Sequence, residues 1–125
     1  MRILLTEDHP DTAKVMRLIL EKYGLEVRTA NTFQEAVELA NSEPFDLLIA
    51  DVRLPDGDGF ALSRQLHEKH QLRSICLSGD IVPPPSQDDE NAPFTAYLVK
   101  PVDVPYLLQI IEQVTGWKPG SGLAQ

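Results

Sequence analysis

Five residues carry the chemistry open to this chain: Glu7, Asp8, Asp51, Ser78 and Lys100. Asp51 ends the apolar run "DLLIAD" and is followed by a Pro and a dense Gly/Asp turn, "VRLPDGDGF". A strand core excludes charge because desolvating a carboxylate is costly. An acid at such a terminus therefore points to chemistry rather than packing. Glu7 and Asp8 follow "RILLT", Ser78 ends "SICLS" and Lys100 ends "AYLVK". Where these ends meet, three carboxylates share one small site. At about 4 Å and an effective dielectric near 20, each like-charge pair costs roughly 4 kcal/mol. Such a cluster takes up protons or holds a cation. Few ligands, all of them oxygen, suit Mg²⁺, which keeps several waters and often bridges to a phosphoryl group. Lys100 is a flexible point charge for a phosphate or carboxylate oxygen, and Ser78 offers one hydroxyl donor. A carboxylate beside Mg²⁺ can attack phosphorus and become an aspartyl phosphate. The metal and Lys100 would then stabilise charge on the equatorial oxygens. In this reading Asp51 is the acceptor, Glu7 and Asp8 hold the metal, and Ser78 bonds the phosphoryl oxygen afterwards.

The elements that must position these residues follow from periodicity. "RILLT" (2–6), "FDLLIAD" (45–51), "SICLS" (74–78) and "AYLVK" (96–100) are short apolar runs that read as strands, and "LEVRTA" (25–30) alternates. Helical patterns lie between them. In "DTAKVMRLILEKYG" the stripe is Val15, Leu18, Ile19 and Leu20, with Asp11 or Thr12 as the cap and Gly24 as the stop. In "TFQEAVELANSEPF", Thr32 and Glu35 have capping-box spacing, and Phe33, Ala36, Val37 and Ala40 share a face. "GFALSRQLHEKH" places Leu62 and Leu66 one turn apart, and "VPYLLQIIEQVTG" carries Leu107, Leu108, Ile111 and Val114. Alternating strands and helices predict an α/β fold with a parallel sheet covered on both faces. Ligands in such sheets sit beyond the carboxyl ends of the strands, where strand order reverses.

The totals bound the function. A chain of 125 residues suggests one domain. A net charge of −8 with no Lys/Arg cluster argues against direct nucleic-acid binding and suits a cation or a basic partner surface. No apolar stretch is long enough to span a membrane, and the N-terminus lacks a secretory pattern. The single cysteine, Cys76, reads as a small buried thiol, in keeping with a cytoplasmic protein.

Taken in order and spacing, "ILLTED", "DLLIADVRLPDGDGF", "ICLSG" and "AYLVKPV" resemble the receiver domain of two-component response regulators. The resemblance covers residues 2 to about 116 and is weak from 80 to 94. It implies a doubly wound, flavodoxin-like sheet of five parallel strands in the order 2-1-3-4-5. It implies phosphotransfer from a histidine kinase or phosphotransfer protein to Asp51. Glu7 and Asp8 match the metal-binding acidic pair, and the backbone carbonyl of Arg53 matches a further Mg²⁺ ligand. Ser78 matches the switch hydroxyl, Tyr97 the switch aromatic and Lys100 the site lysine. The bond before the proline matching Pro101 is commonly cis in the family. The output implied is a changed surface read by a downstream protein or attached domain, with a homodimer also compatible. The domain is expected over 1–116, with "WKPGSGLAQ" as a tail or linker.

Each residue also has a plainer reading. Asp51 can cap its loop, Glu7 and Asp8 can serve a helix dipole, Ser78 can be a turn residue, Tyr97 can be core, and Lys100 can be a surface lysine. His9, beside the acids, reads as solvated rather than as a ligand. His67 and His70 fall on a polar helix face. A phosphorylation-independent interaction module with the same fold is the alternative; the intact set of five argues against it. A phosphatase of the haloacid-dehalogenase kind would want an acid two residues after the nucleophile, where Arg53 stands. Finally, "GDIVPPPSQDDENAPF" (79–94) occupies the place of the family's fourth helix. Pro83–Pro85 and Pro93 bar both ends of it. A loop or a short helical turn is expected there, leaving Ile81, Val82 and Phe94 or a partner protein to cover the sheet.

Overall fold

The computed structural model describes residues 1–79 and 96–118. The expected loop in place of the fourth helix lies outside the described residues. The elements run β1 (Arg2–Thr6), α1 (Pro10–Glu21), β2 (Glu26–Ala30), α2 (Phe33–Ser42), β3 (Leu47–Asp51), β4 (Arg53–Leu54), β5 (Gly57–Asp58), α3 (Gly59–His70), β6 (Arg73–Ser78), β7 (Ala96–Val99) and α4 (Val104–Thr115). Five strands form one parallel sheet in the order β2-β1-β3-β6-β7. This is the expected 2-1-3-4-5 arrangement once the small β4-β5 hairpin is set aside. That antiparallel hairpin, in the turn after Asp51, had no signature in the sequence reading.

Alternation along the strands divides the core. Ile3, Leu5, Leu47, Ile49, Ile75, Leu77 and Leu98 face one side, where they meet Leu20, Leu107 and Ile111. Leu4, Leu48 and Ala50 face the other, against Ala36, Ala40, Leu62 and Leu66. The period of two then carries forward past the strand ends. Glu7, Asp51 and Lys100 continue the rows that contain Leu5, Ile49 and Leu98, so all three fall on the same face.

Helix α1 departs from expectation. Pro10 takes the first helical position, where its missing N–H leaves nothing unsatisfied. The N-cap is therefore His9, which makes no side-chain cap, rather than Asp11 or Thr12. The buried face is Ala13 and Leu20 with Met16 beside them. Val15 and Leu18 are 57% and 45% exposed, so the expected stripe is rotated. Gly24 takes positive φ after the helix, as its role as a stop requires. In α2, Thr32 Oγ1 accepts from Glu35 N at 3.0 Å. A second cap comes from far along the chain: Asp56 carboxylate oxygens accept from Phe33 N at 2.7 Å and Gln34 N at 3.0 Å. The buried faces of α3 and α4 include the expected residues. Trp117, the first residue of the expected tail, packs into the core.

Candidate functional site

Parallel register brings the chemistry together. Thr6 pairs with Ala50, so one step further places Glu7 alongside Asp51. Asp51 pairs with Leu77, and Leu77 with Leu98. Lys100 N donates to Ser78 O at 2.6 Å, holding the start of the last loop against β6. The Lys100–Pro101 bond is cis. Asn31 Nδ2 donates to Glu7 O at 2.9 Å, fixing the first loop against the end of β2.

Glu7 and Asp51 are both buried, and one ammonium serves both. Lys100 Nζ lies 2.6 Å from Glu7 Oε2. It donates to Asp51 Oδ2 at 2.9 Å and stands 2.8 Å from Oδ1. The hydrogen bond goes to Oδ2; Oδ1, also buried, accepts none. Two buried carboxylates against one cation leave an excess negative charge. Burial, and then the neighbouring Glu7, push the Asp51 carboxyl up to about 7. Burial acts on Glu7 in the same sense, but bonds with Asp51, Lys100 and the backbone of His9 outweigh it and hold Glu7 at about 2. Below about pH 7 the dyad thus takes up a proton, and that proton belongs to the pair rather than to either residue.

Asp8, His9, Asp51, Arg53, Ser78 and Lys100 line one open cavity of about 230 Å³. Asp8 is half-exposed at its rim. His9 Nδ1 stands 3.2 Å from Glu7 Oε1 and 3.1 Å from Asp8 Oδ1. These carboxylates raise the His9 imidazole above its ordinary value, with the bond to Glu7 as the largest cause. Tyr97 is half-buried and stacks on Phe60 with ring centroids 6.2 Å apart. Cys76 is buried, and its thiol is pushed up to about 11 by that burial.

The donor set fits a small hard divalent cation. It offers carboxylate oxygens in an electronegative cavity, one of them buried without a hydrogen bond. The structure therefore assembles the expected Glu7, Asp8, Asp51, Ser78 and Lys100 at one edge and places Arg53 at the cavity.

One residue of the site escaped the sequence reading. Gly59 begins α3, and its N–H donates to Val52 O at 2.7 Å. A Cβ there would lie 2.0 Å from Asp51 O, so only glycine fits. The second Gly of "DGDG" was the available signal. His9 was seen, but its contact with both acids was not.

The family model described as the response regulator receiver domain matches residues 3–112. An uncharacterised 14.6 kDa protein of Leptolyngbya boryana is 35% identical, with 90% of this chain and 88% of that protein covered. The response regulator protein PilR of Pseudomonas aeruginosa is 32% identical over 88% of this chain, which spans only 25% of PilR. Among solved structures, a CheY-like receiver domain protein of Methanospirillum hungatei superposes with a TM-score of 0.80 at 30% identity, covering 92% of this chain and 93% of that one. With that family model matching residues 3–112, the chain belongs to the response regulator receiver domain family of two-component signal transduction.

Proposed function

We propose that this receiver domain accepts a phosphoryl group on Asp51 from a phosphohistidine donor, with Mg²⁺ bound by Glu7, Asp8, Asp51 and the Arg53 carbonyl. The observation that carries the reading is the buried Asp51 carboxylate beside Lys100, at the floor of a cavity large enough for a phosphoryl group. When bound, Mg²⁺ supplies positive charge next to the transferring oxygens. The remaining work falls to the chain. Asp51 attacks phosphorus through a carboxylate oxygen. The new O–P bond forms as the donor's N–P bond breaks, and the imidazole departs with the electron pair. For this Asp51 must be unprotonated, and a neighbouring cation favours that form. Lys100 moves from the dyad to a phosphoryl oxygen, where its charge offsets the growing negative charge. Ser78 then hydrogen-bonds the phosphoryl group, and Tyr97 follows it inward as the switch aromatic. The chain assists its own phosphorylation and dephosphorylation without turning over a separate substrate. Its output is a surface offered to a downstream protein or attached domain.

Incubation with acetyl phosphate and Mg²⁺ should add one alkali-labile phosphoryl mass, absent in Asp51→Asn. Equal labelling of that variant would move the acceptor elsewhere. Absence of labelling in the parent from both acetyl phosphate and a phosphohistidine donor would leave an interaction module.

A further inference from the structure

Asp51 and Tyr97 lie on opposite faces of the sheet. Asp51 shares its row with Leu47 and Ile49, whereas Tyr97 pairs with Cys76 and Cys76 with Ala50, in the other row. A change at the acceptor reaches the aromatic only by crossing the sheet edge. Val52, directly after Asp51, falls back on the face of Tyr97. Its N–H donates to Leu77 O at 2.8 Å, so the ladder runs one residue past the strand. Val52, Phe60 and Cys76 form a buried cluster apart from the two main cores, with Tyr97 laid against it. The rings of Phe60 and Tyr97 are 15° from parallel with centroids 6.2 Å apart, an offset stack. The backbone beside Phe60 is tied to the acceptor. Gly59 N donates to Val52 O at 2.7 Å, and a Cβ on Gly59 would stand 2.0 Å from Asp51 O. Phe60 N donates to Asp58 Oδ1 at 2.7 Å, which fixes the first turn of α3.

We propose that Phe60 is a positioning residue whose ring, stacked on Tyr97, holds that aromatic in its resting place and couples it to the peptide that follows Asp51. The inference rests on the proposed roles of Asp51 as phosphoacceptor and Tyr97 as switch, and adds a link between them. Ser78 answers to the phosphoryl group itself; Phe60 answers to the backbone that carries it. With Gly59 in direct contact with the Asp51 carbonyl, a shift of that peptide is passed to the first turn of α3 and so to the Phe60 ring. Tyr97 is half-buried where it stacks, so an inward move gives up part of the stack. The stack therefore favours the resting arrangement, and by linkage its loss favours the phosphorylated one. An aromatic pair of this kind corresponds to about two- to ten-fold in such an equilibrium.

The test titrates the full chain with beryllofluoride in saturating Mg²⁺, as a stable stand-in for the phosphoryl group, and reads affinity from the bound ¹⁹F signal. Ring ¹³C resonances of Tyr97 report its position. Phe60→Leu should move those resonances in the ligand-free chain and tighten beryllofluoride binding by about two- to ten-fold. Phe60→Tyr, which keeps the ring, should bind as the parent does. In a Tyr97→Leu background, Phe60→Leu should change the affinity no further, which a merely structural role of Phe60 would not produce. Should Phe60→Leu fail to fold, Phe60→Met carries the same expectations. Unchanged or weakened binding in the folded variant, or the same tightening without Tyr97, overturns the proposal and leaves the phosphoacceptor reading standing. A parent that binds no beryllofluoride overturns both.

Discussion

Removing the charge of Asp51 should stabilise the metal-free protein above neutral pH. Glu7 and Asp51 are 1% and 5% exposed and share the Lys100 ammonium. With Asp51 pushed up to about 7, mainly by burial and then by Glu7, the folded state binds a proton that the unfolded chain releases near 4. A group that binds protons more tightly when folded loses stability as pH rises, here between about 4 and 7. Each pH unit of that gap corresponds to about 1.4 kcal/mol, which sets a ceiling of about 4 kcal/mol. Glu7 shifts the opposite way, and the cavity admits water, so about 1–3 kcal/mol is expected. Asp51→Asn keeps the shape and can still accept from Lys100. Urea unfolding in EDTA can be followed by Trp117, the single tryptophan, which is buried. With an m-value of about 1–3 kcal/mol/M, the midpoint of Asp51→Asn should exceed that of the parent by about 1 M at pH 8. At pH 5 the gap should shrink to about a third of that, and it should close near pH 3. A parent more stable than the variant at pH 8, or the same gap at both pH values, would refute the argument from burial and shared charge.

Saturating Mg²⁺ should narrow that pH 8 gap by binding the folded parent alone, as denaturation with and without EDTA would report. Lys100→Met leaves two buried carboxylates without a counter-charge. It should lose about 2–4 kcal/mol at pH 8 and recover part of this on acidification, read by the same urea titration. Gly59→Ala places a methyl group against the Asp51 carbonyl, so acetyl phosphate labelling should fall at least ten-fold while far-UV dichroism stays near the parent's. Asp56 has its carboxyl held below the usual range by the amides of Gln34 and then Phe33. Its contribution is therefore present above its unfolded value and lost as pH falls through the folded one. Asp56→Ala should lower the thermal midpoint at pH 7, leave it little changed near pH 2, and speed amide exchange at Phe33 and Gln34.

The face of the site was legible because it rests on local period, whereas the strand order was implied by the resemblance to receiver domains and not by period. "RILLT" and "DLLIAD" alternate across a sheet, and extending that alternation puts Glu7 and Asp51 on the same face; the β1–β3 register then sets them side by side. The rotated stripe of α1 was not legible. Val15 and Leu18 are as apolar as Met16 and Leu20, and several helical faces fit "AKVMRLIL" equally well. The choice is made by the sheet that Ala13 and Leu20 pack against, and by a helix start that Pro10 moves toward the N-terminus. The Asp56 cap was hidden for another reason. Local capping rules look three residues ahead, whereas Asp56 lies 23 residues from the amide it caps. That bond has a functional side. It ties the turn following Asp51 to the start of α2, while Gly59 presses the start of α3 onto the Asp51 carbonyl. The acceptor strand is thus held at its end by two helices whose residues do no chemistry. What residue types could not reveal was the proton count. Three acids and a lysine in a sequence are four charges in water. Only burial, and the sharing of one ammonium, turn them into a dyad that is short of one positive charge and is built to receive it.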